Sequence, residues 1–160
     1  MLGANVLALS YRGYGKSEGK PTEIGLKQDV EAALDYLYNE SNVDPTRVYI
    51  FGRSLGGAVA IYAGSTTVYP LRGIIVENTF TSIPNMVDTL MPKVSYFKSL
   101  VLRINWSSID SIKDITTPIL FASGTDDELI PPKMMTELKE NAIKSRFTEL
   151  YKIQGGTHND

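Results

Sequence analysis

Cysteine is absent from this chain, so a disulfide framework and a thiolate metal site are both excluded. That absence selects no compartment. No apolar run approaches the ~18 residues of a membrane helix, and no basic-then-apolar signal opens the sequence. Neither sign of charge dominates. Sixteen Lys and Arg face eighteen Asp and Glu, leaving a net charge of −2 and a pI near 5.5. Nothing in that balance favours nucleic acid or an anionic membrane surface as a partner. Repeats and low-complexity stretches are also lacking. A length of 160 residues implies one domain with room for a useful core.

What is present is an alternation of short apolar runs and amphipathic stretches. Asn5 to Leu9 reads as a buried strand. Leu26, Val30, Ala33, Leu34 and Leu37 then form the stripe of an amphipathic helix, with Thr22 as a candidate cap. Strands around Val48, at Gly73–Val76, at Ile119 and at Thr148–Ile153 follow. Between them come a small-residue helix over Leu55–Ser65 and a helix over about Lys133–Ala142 opened by Pro131-Pro132. Five strands alternating with helices predict a doubly wound, mainly parallel α/β sheet. The segment from about 77 to 117 reads either as a cap over a substrate or as ordinary helices on the sheet. Its Met86, Leu90, Met91, Tyr96, Phe97 and Trp106 favour an apolar acyl group if it is a cap.

The densest signal lies where the Val48 strand meets the small-residue helix, in Gly52-Arg53-Ser54-Leu55-Gly56. A G-x-S-x-G sequence in strand-to-helix context is the pattern of a nucleophile elbow. Gly52 and Gly56 relieve the crowding of so tight a turn, and Ser54 takes a strained backbone that projects its hydroxyl. A serine nucleophile needs a base, and the chain holds one histidine, His158, in a Gly-rich loop after the last strand. The acid is expected on the loop after the Ile119 strand, in Gly124-Thr125-Asp126-Asp127-Glu128-Leu129-Ile130-Pro131. Serine, acid, histidine is the chain order of one of the three unrelated triad architectures.

A competing motif is set aside. Tyr11 to Ser17 ends in Gly-Lys-Ser as a phosphate-binding P-loop does, but Ser10 stands where that pattern needs glycine. Gly19 and Pro21 also interrupt the helix it would require.

Together, Gly52 to Ala58, Gly124 to Pro132 and Gly155 to Asp160 resemble the α/β-hydrolase superfamily. Val76 to Pro84 and Tyr11 to Gly19 are similar to the branch containing α/β hydrolase domain-containing protein thirteen and its relatives. The family's acid pattern, Gly-x-x-Asp-x-x-(Ile/Val)-Pro, aligns Gly124 and Ile130-Pro131 and so selects Asp127. Asp126 falls out of that register, and Glu77 occupies the position where some relatives place their acid. The resemblance implies a serine hydrolase with Ser54, Asp127 and His158 as triad, the Leu55 N–H as one oxyanion donor, and no cofactor. Its expected substrates are carboxylic esters or thioesters of an acylated small molecule, lipid or acyl-protein. Peptidase-like members share the same elbow. Membrane association is expected for a full-length parent.

The chain departs from the family pattern in three places. The His-Gly-rich loop that usually supplies the second oxyanion donor has no counterpart, nor does the strand preceding the Val6 strand, nor a closing helix after His158. The expectation is an incomplete hydrolase domain over residues 1–160, with a catalytically silent, interaction-only form of the fold as the alternative.

Overall fold

The computed structural model describes residues 3–40, 42–90 and 106–159, without the side chains of residues 88–90. Helix α1 spans Glu23–Asn39. It starts where Thr22, in extended backbone, accepts the Gly25 N–H on its hydroxyl at 3.1 Å, which satisfies one of the donors a helix leaves open at its start. The predicted stripe is its buried face, with Leu26, Val30 and Leu34 in the core. A 3-10 turn at Pro45–Arg47, capped by Asp44, leads into strand β1, Tyr49–Arg53. Helix α2, Leu55–Thr66, follows after one residue. Its small and β-branched residues 57–61 are all buried, so it runs deep against the sheet.

Strands β2 (Gly73–Glu77), β3 (Ile119–Gly124) and β4 (Thr148–Ile153) complete a parallel sheet in the order β1-β2-β3-β4. Helices α3 (Ile83–Leu90), α4 (Ser108–Ser111) and α5 (Pro132–Asn141) lie in the connections. In register, Ile50 pairs with Ile74 and Ile74 with Ile119, while Val76 pairs with Phe121. These residues point to one face, where Ile74, Val76, Ile119 and Phe121 are buried beneath Ile61 of α2 and Met135 and Leu138 of α5. A second cluster joins α1 to α2 through Leu26, Val30, Leu34, Ala58 and Val59. The opposite face carries Tyr49, Phe51, Ile75, Leu120 and Tyr151, alternate in register with the first set. No described helix covers it, and Tyr49, Phe51 and Tyr151 are exposed.

One expectation changes. Asn5 to Leu9 is not a strand: it joins no ladder, and Val6 is 86% exposed. An extended segment is stable only where a neighbour pairs its N–H and C=O groups, and no described strand lies beside it. Within the long segment, residues 83–90 and 108–111 are helical, and the described flanks meet. Ser82 and Ser107 make an antiparallel bridge, Ile83 N–H donates to Trp106 O at 3.0 Å, and Ile109 N–H donates to Thr81 O at 2.8 Å. Trp106 is core rather than cap lining, 2% exposed and edge-on to Tyr62. Met91, Tyr96 and Phe97 lie outside the described residues, as does the side chain of Leu90.

Candidate active site

Ser54 sits between β1 and α2 with φ 53° and ψ −119°, a strained conformation for a side chain with a Cβ. Such backbone costs about 1–3 kcal/mol and persists only where the surroundings over-determine it. Here its N–H donates to Glu77 O at 3.0 Å, and its carbonyl accepts the Thr79 hydroxyl at 2.7 Å. The tight approach expected of the elbow glycines falls at Gly52, where an added Cβ would collide with the Gly56 carbonyl. At Gly56 it would meet only the Tyr11 hydroxyl at 3.7 Å, an ordinary contact, so crowding does not require glycine there. The second crowded position is Gly57, whose Cβ would stand 2.6 Å from that of Thr79. Leu55 opens α2, so its N–H belongs to the group that a helix leaves without an intrahelical acceptor. That end of the helix favours negative charge.

Asp127 and His158 meet three residues beyond β3 and five beyond β4. His158 Nδ1 lies 2.8 Å from Asp127 Oδ2, with the two side chains 8% and 1% exposed. The other carboxylate oxygen accepts the N–H groups of Leu129 at 2.8 Å and Ile130 at 2.7 Å. An ionised carboxylate only accepts, so the neutral imidazole carries its proton on Nδ1 and leaves Nε2 as the basic nitrogen. Asp126 is exposed, and its carboxylate accepts the Thr125 hydroxyl instead. Glu77 touches the site through its main-chain carbonyl, and no ion pair to His158 forms from it among the described residues.

The three loops leave the C-terminal ends of β1, β3 and β4, the end at which open α/β sheets bind ligands. Ser54 Oγ and His158 form no hydrogen bond among the described residues, and apo geometry of this kind often tightens only in complex. Sequence reasoning passed over Asn78 and Thr79, which tie these loops together. The signal available was their place directly after a strand, in a segment noted only for its resemblance. Tyr11, which opens the stretch set aside as a P-loop, brings its hydroxyl beside Gly56. Burial, helped by Asp29 and Tyr14, raises its pKa above the usual phenol value and keeps it a donor.

Residues 1–109 match the family profile described as serine aminopeptidase, S33. An α/β hydrolase domain-containing protein, WAV2 of Arabidopsis thaliana, is 43% identical across 99% of this chain and 56% of its own length. Protein bem46 of Schizosaccharomyces pombe is 42% identical across 99% of this chain and 53% of its own. An uncharacterized membrane protein of Saccharomyces cerevisiae is 38% identical across 99% and 56%. The chain therefore spans about half the length of the curated relatives it matches. Among solved structures, the ferulic-acid complex of Est1E from Butyrivibrio proteoclasticus superposes with a TM-score of 0.75 at 21% identity, over 93% of this chain and 67% of that one. That likeness shows a shared fold.

Proposed function

The chain belongs to the serine aminopeptidase S33 family of α/β hydrolases, and from that premise we propose that Ser54, His158 and Asp127 carry out acyl transfer to water. The observation that supports it most is the buried Asp127–His158 contact at 2.8 Å, in a loop that the dipeptide Asn78-Thr79 links to the strained turn at Ser54. His158 Nε2 takes the Ser54 proton as Oγ attacks the substrate carbonyl. The resulting oxyanion draws on the Leu55 N–H. The protonated imidazole, stabilised by Asp127, gives its proton to the leaving oxygen, sulfur or nitrogen. Water then repeats the sequence on the acyl-enzyme, its proton passing through His158 to Ser54 as the acid leaves.

Esters or thioesters of apolar acyl groups are the proposed substrates, of the acyl-lipid or palmitoyl-protein kind. Met86 and Val87 of α3, packed partly buried against the core at the foot of the segment rooted by Ser82 and Ser107, support an apolar approach. The name of the yeast relative supports membrane association of a longer protein, although no described helix is long and apolar enough to cross a membrane. A second reading, hydrolysis of an aminoacyl amide, is favoured by the description of the matching family. The test is fluorophosphonate labelling of the chain and its Ser54→Ala variant, followed by turnover of nitrophenyl esters of increasing acyl length against an aminoacyl anilide. Labelling that survives Ser54→Ala excludes the mechanism. A preference for the anilide moves the substrate class to amides, and absence of labelling leaves the interaction-only alternative.

A further inference from the structure

Asn78 follows β2 directly, 2% exposed, with φ +43°. Among the described residues, only Ser54 is another non-glycine residue with positive φ. Asparagine tolerates that region better than most residues. Tolerance alone does not explain the side chain, which bridges two loops. Oδ1 accepts the Gly124 N–H at 2.8 Å, and Nδ2 donates to Thr157 O at 3.0 Å and His158 O at 3.4 Å. A carboxamide is suited to the task because it presents an acceptor at one end and two donors at the other. The main-chain N–H of Asn78 donates to Ala122 O at 3.1 Å, which fixes its base on β3.

We propose that Asn78 is a positioning residue for the triad, holding the main chain of His158 at the height where Nδ1 meets Asp127. The proposal rests on the triad reading above. Other bonds also join the two loops: Thr125 N–H to Ile153 O at 3.0 Å, Asp126 N–H to Gly156 O at 2.9 Å, and Gly155 N–H to the Thr125 hydroxyl at 2.8 Å. Those three bonds reach residues 153 to 156, and Asn78 reaches the main chain of Thr157 and His158. The next residue, Thr79, holds the Ser54 carbonyl at 2.7 Å, so one dipeptide touches the loops of all three triad members. Displacement of a reacting group by about 1 Å costs roughly a hundredfold in rate, so a strap on the imidazole matters more than its bond count suggests.

Two substitutions separate positioning from backbone tolerance. Asn78→Gly accepts the positive φ without strain and deletes the strap. Asn78→Asp keeps the shape and the Gly124 bond, but sets a carboxylate against two carbonyls. His158 is the one histidine, so its imidazole proton resonances are assigned without ambiguity. The full chain and both variants are compared by thermal unfolding, by the Nδ1–H resonance and by the rate of fluorophosphonate labelling. Asn78→Gly is expected to unfold cooperatively, to lose or broaden that resonance, and to label roughly tenfold to a hundredfold more slowly. Asn78→Asp is expected to behave likewise at neutral pH. Its resonance should return towards that of the parent at the same pH as the new carboxyl protonates and becomes a donor. An unchanged resonance and labelling rate in Asn78→Gly overturns the proposal. If that variant fails to fold, Asn78→Asp decides in the same way: a parent-like resonance at every pH overturns it. If the parent never labels while its resonance still responds to both variants, Asn78 positions the imidazole and the hydrolase reading is the one that fails.

Discussion

Gly124 and Gly156 pack backbone against backbone: a Cβ on Gly124 would collide with the Gly156 carbonyl, which also accepts the Asp126 N–H at 2.9 Å. This contact closes the gap between the ends of β3 and β4. Asp127, three residues past one glycine, thereby faces His158, two past the other. Gly124→Ala should force the loops apart, destabilising the chain by about 1–3 kcal/mol as overpacking does. It should also slow labelling of Ser54. Denaturant unfolding and the labelling rate measure both effects, and a variant matching the parent in each would mean that the loops accommodate a methyl group.

Asp127→Asn preserves volume but offers the imidazole an amide, which can turn a donor towards Nδ1 and favour the wrong tautomer. Turnover should fall by roughly 10⁴-fold, as in other triads. Asp126→Asn changes an exposed carboxylate bonded to Thr125 and should cost little. Glu77→Gln should also cost little, because Glu77 meets the elbow through its main-chain carbonyl. Steady-state kinetics on the three variants rank them, and a larger loss at Glu77 or Asp126 would reassign the acid.

The helix stripe at Leu26, Val30 and Leu34 was legible because its period of 3.6 reflects burial of a single face, and the structure buries those residues. The sheet was legible for a similar local reason: Ile74, Val76, Ile119 and Phe121 are concentrated in short runs between turn residues. The Asn5–Leu9 strand was misread because strand character is not local; an apolar run becomes a strand only when a neighbour completes its ladder. Gly56 was misread because motif spacing cannot tell which glycine is crowded. Only the approach of Thr79 from a different loop makes Gly57 the tight position. Asn78 was missed for the same reason, since its partners lie 46 to 80 residues away in sequence.

That distinction can be measured. A methyl group on Gly57 would stand 2.6 Å from Thr79 Cβ and 2.8 Å from its hydroxyl, whereas one on Gly56 finds ordinary contact. Gly57→Ala should therefore cost about 1–3 kcal/mol of stability and disturb the Thr79 bond to Ser54. Gly56→Ala should be nearly neutral in stability, helped by the lower entropy of the unfolded chain. Paired urea titrations suffice, and a reversed order would contradict the steric assignment.

Arg12 and Asp29 set a pH dependence. The carboxylate accepts Arg12 Nε at 2.9 Å, Nη2 at 2.7 Å and the backbone N–H at 2.8 Å. The guanidinium bond outweighs partial burial and holds the Asp29 pKa below the ordinary carboxylate value. A depressed folded-state pKa contributes stability that is fully present above the unfolded value of about 3.9 and is lost as pH falls through the folded one. Arg12 stays charged throughout. Thermal midpoints of the parent and Asp29→Asn should therefore differ most at neutral pH and converge in acid. A gap that stays constant down through that range would show that the ion pair contributes nothing through proton linkage.

The bare face of the sheet makes the final prediction. Parallel sheets are ordinarily covered on both faces, yet Tyr49, Phe51 and Tyr151 are 58%, 62% and 63% exposed on one of them. Full burial of one such side chain is worth about 1.5–3 kcal/mol. A domain's net stability is only about 5–15 kcal/mol, so three uncovered aromatics forfeit a large share of it. Asn5 to Leu9 adds exposed apolar side chains, with Val6 86% and Leu7 51% exposed. The 160-residue chain on its own should therefore take up an apolar dye and self-associate as concentration rises. Phe51→Lys combined with Tyr151→Lys removes apolar area from that face without touching the core beneath the helices. The double variant should scatter less light and bind less dye while keeping its unfolding midpoint. Protected amides through Asn5–Leu9 in a monomeric, dye-free parent chain would show that the face and the neighbouring edge are covered by the chain itself.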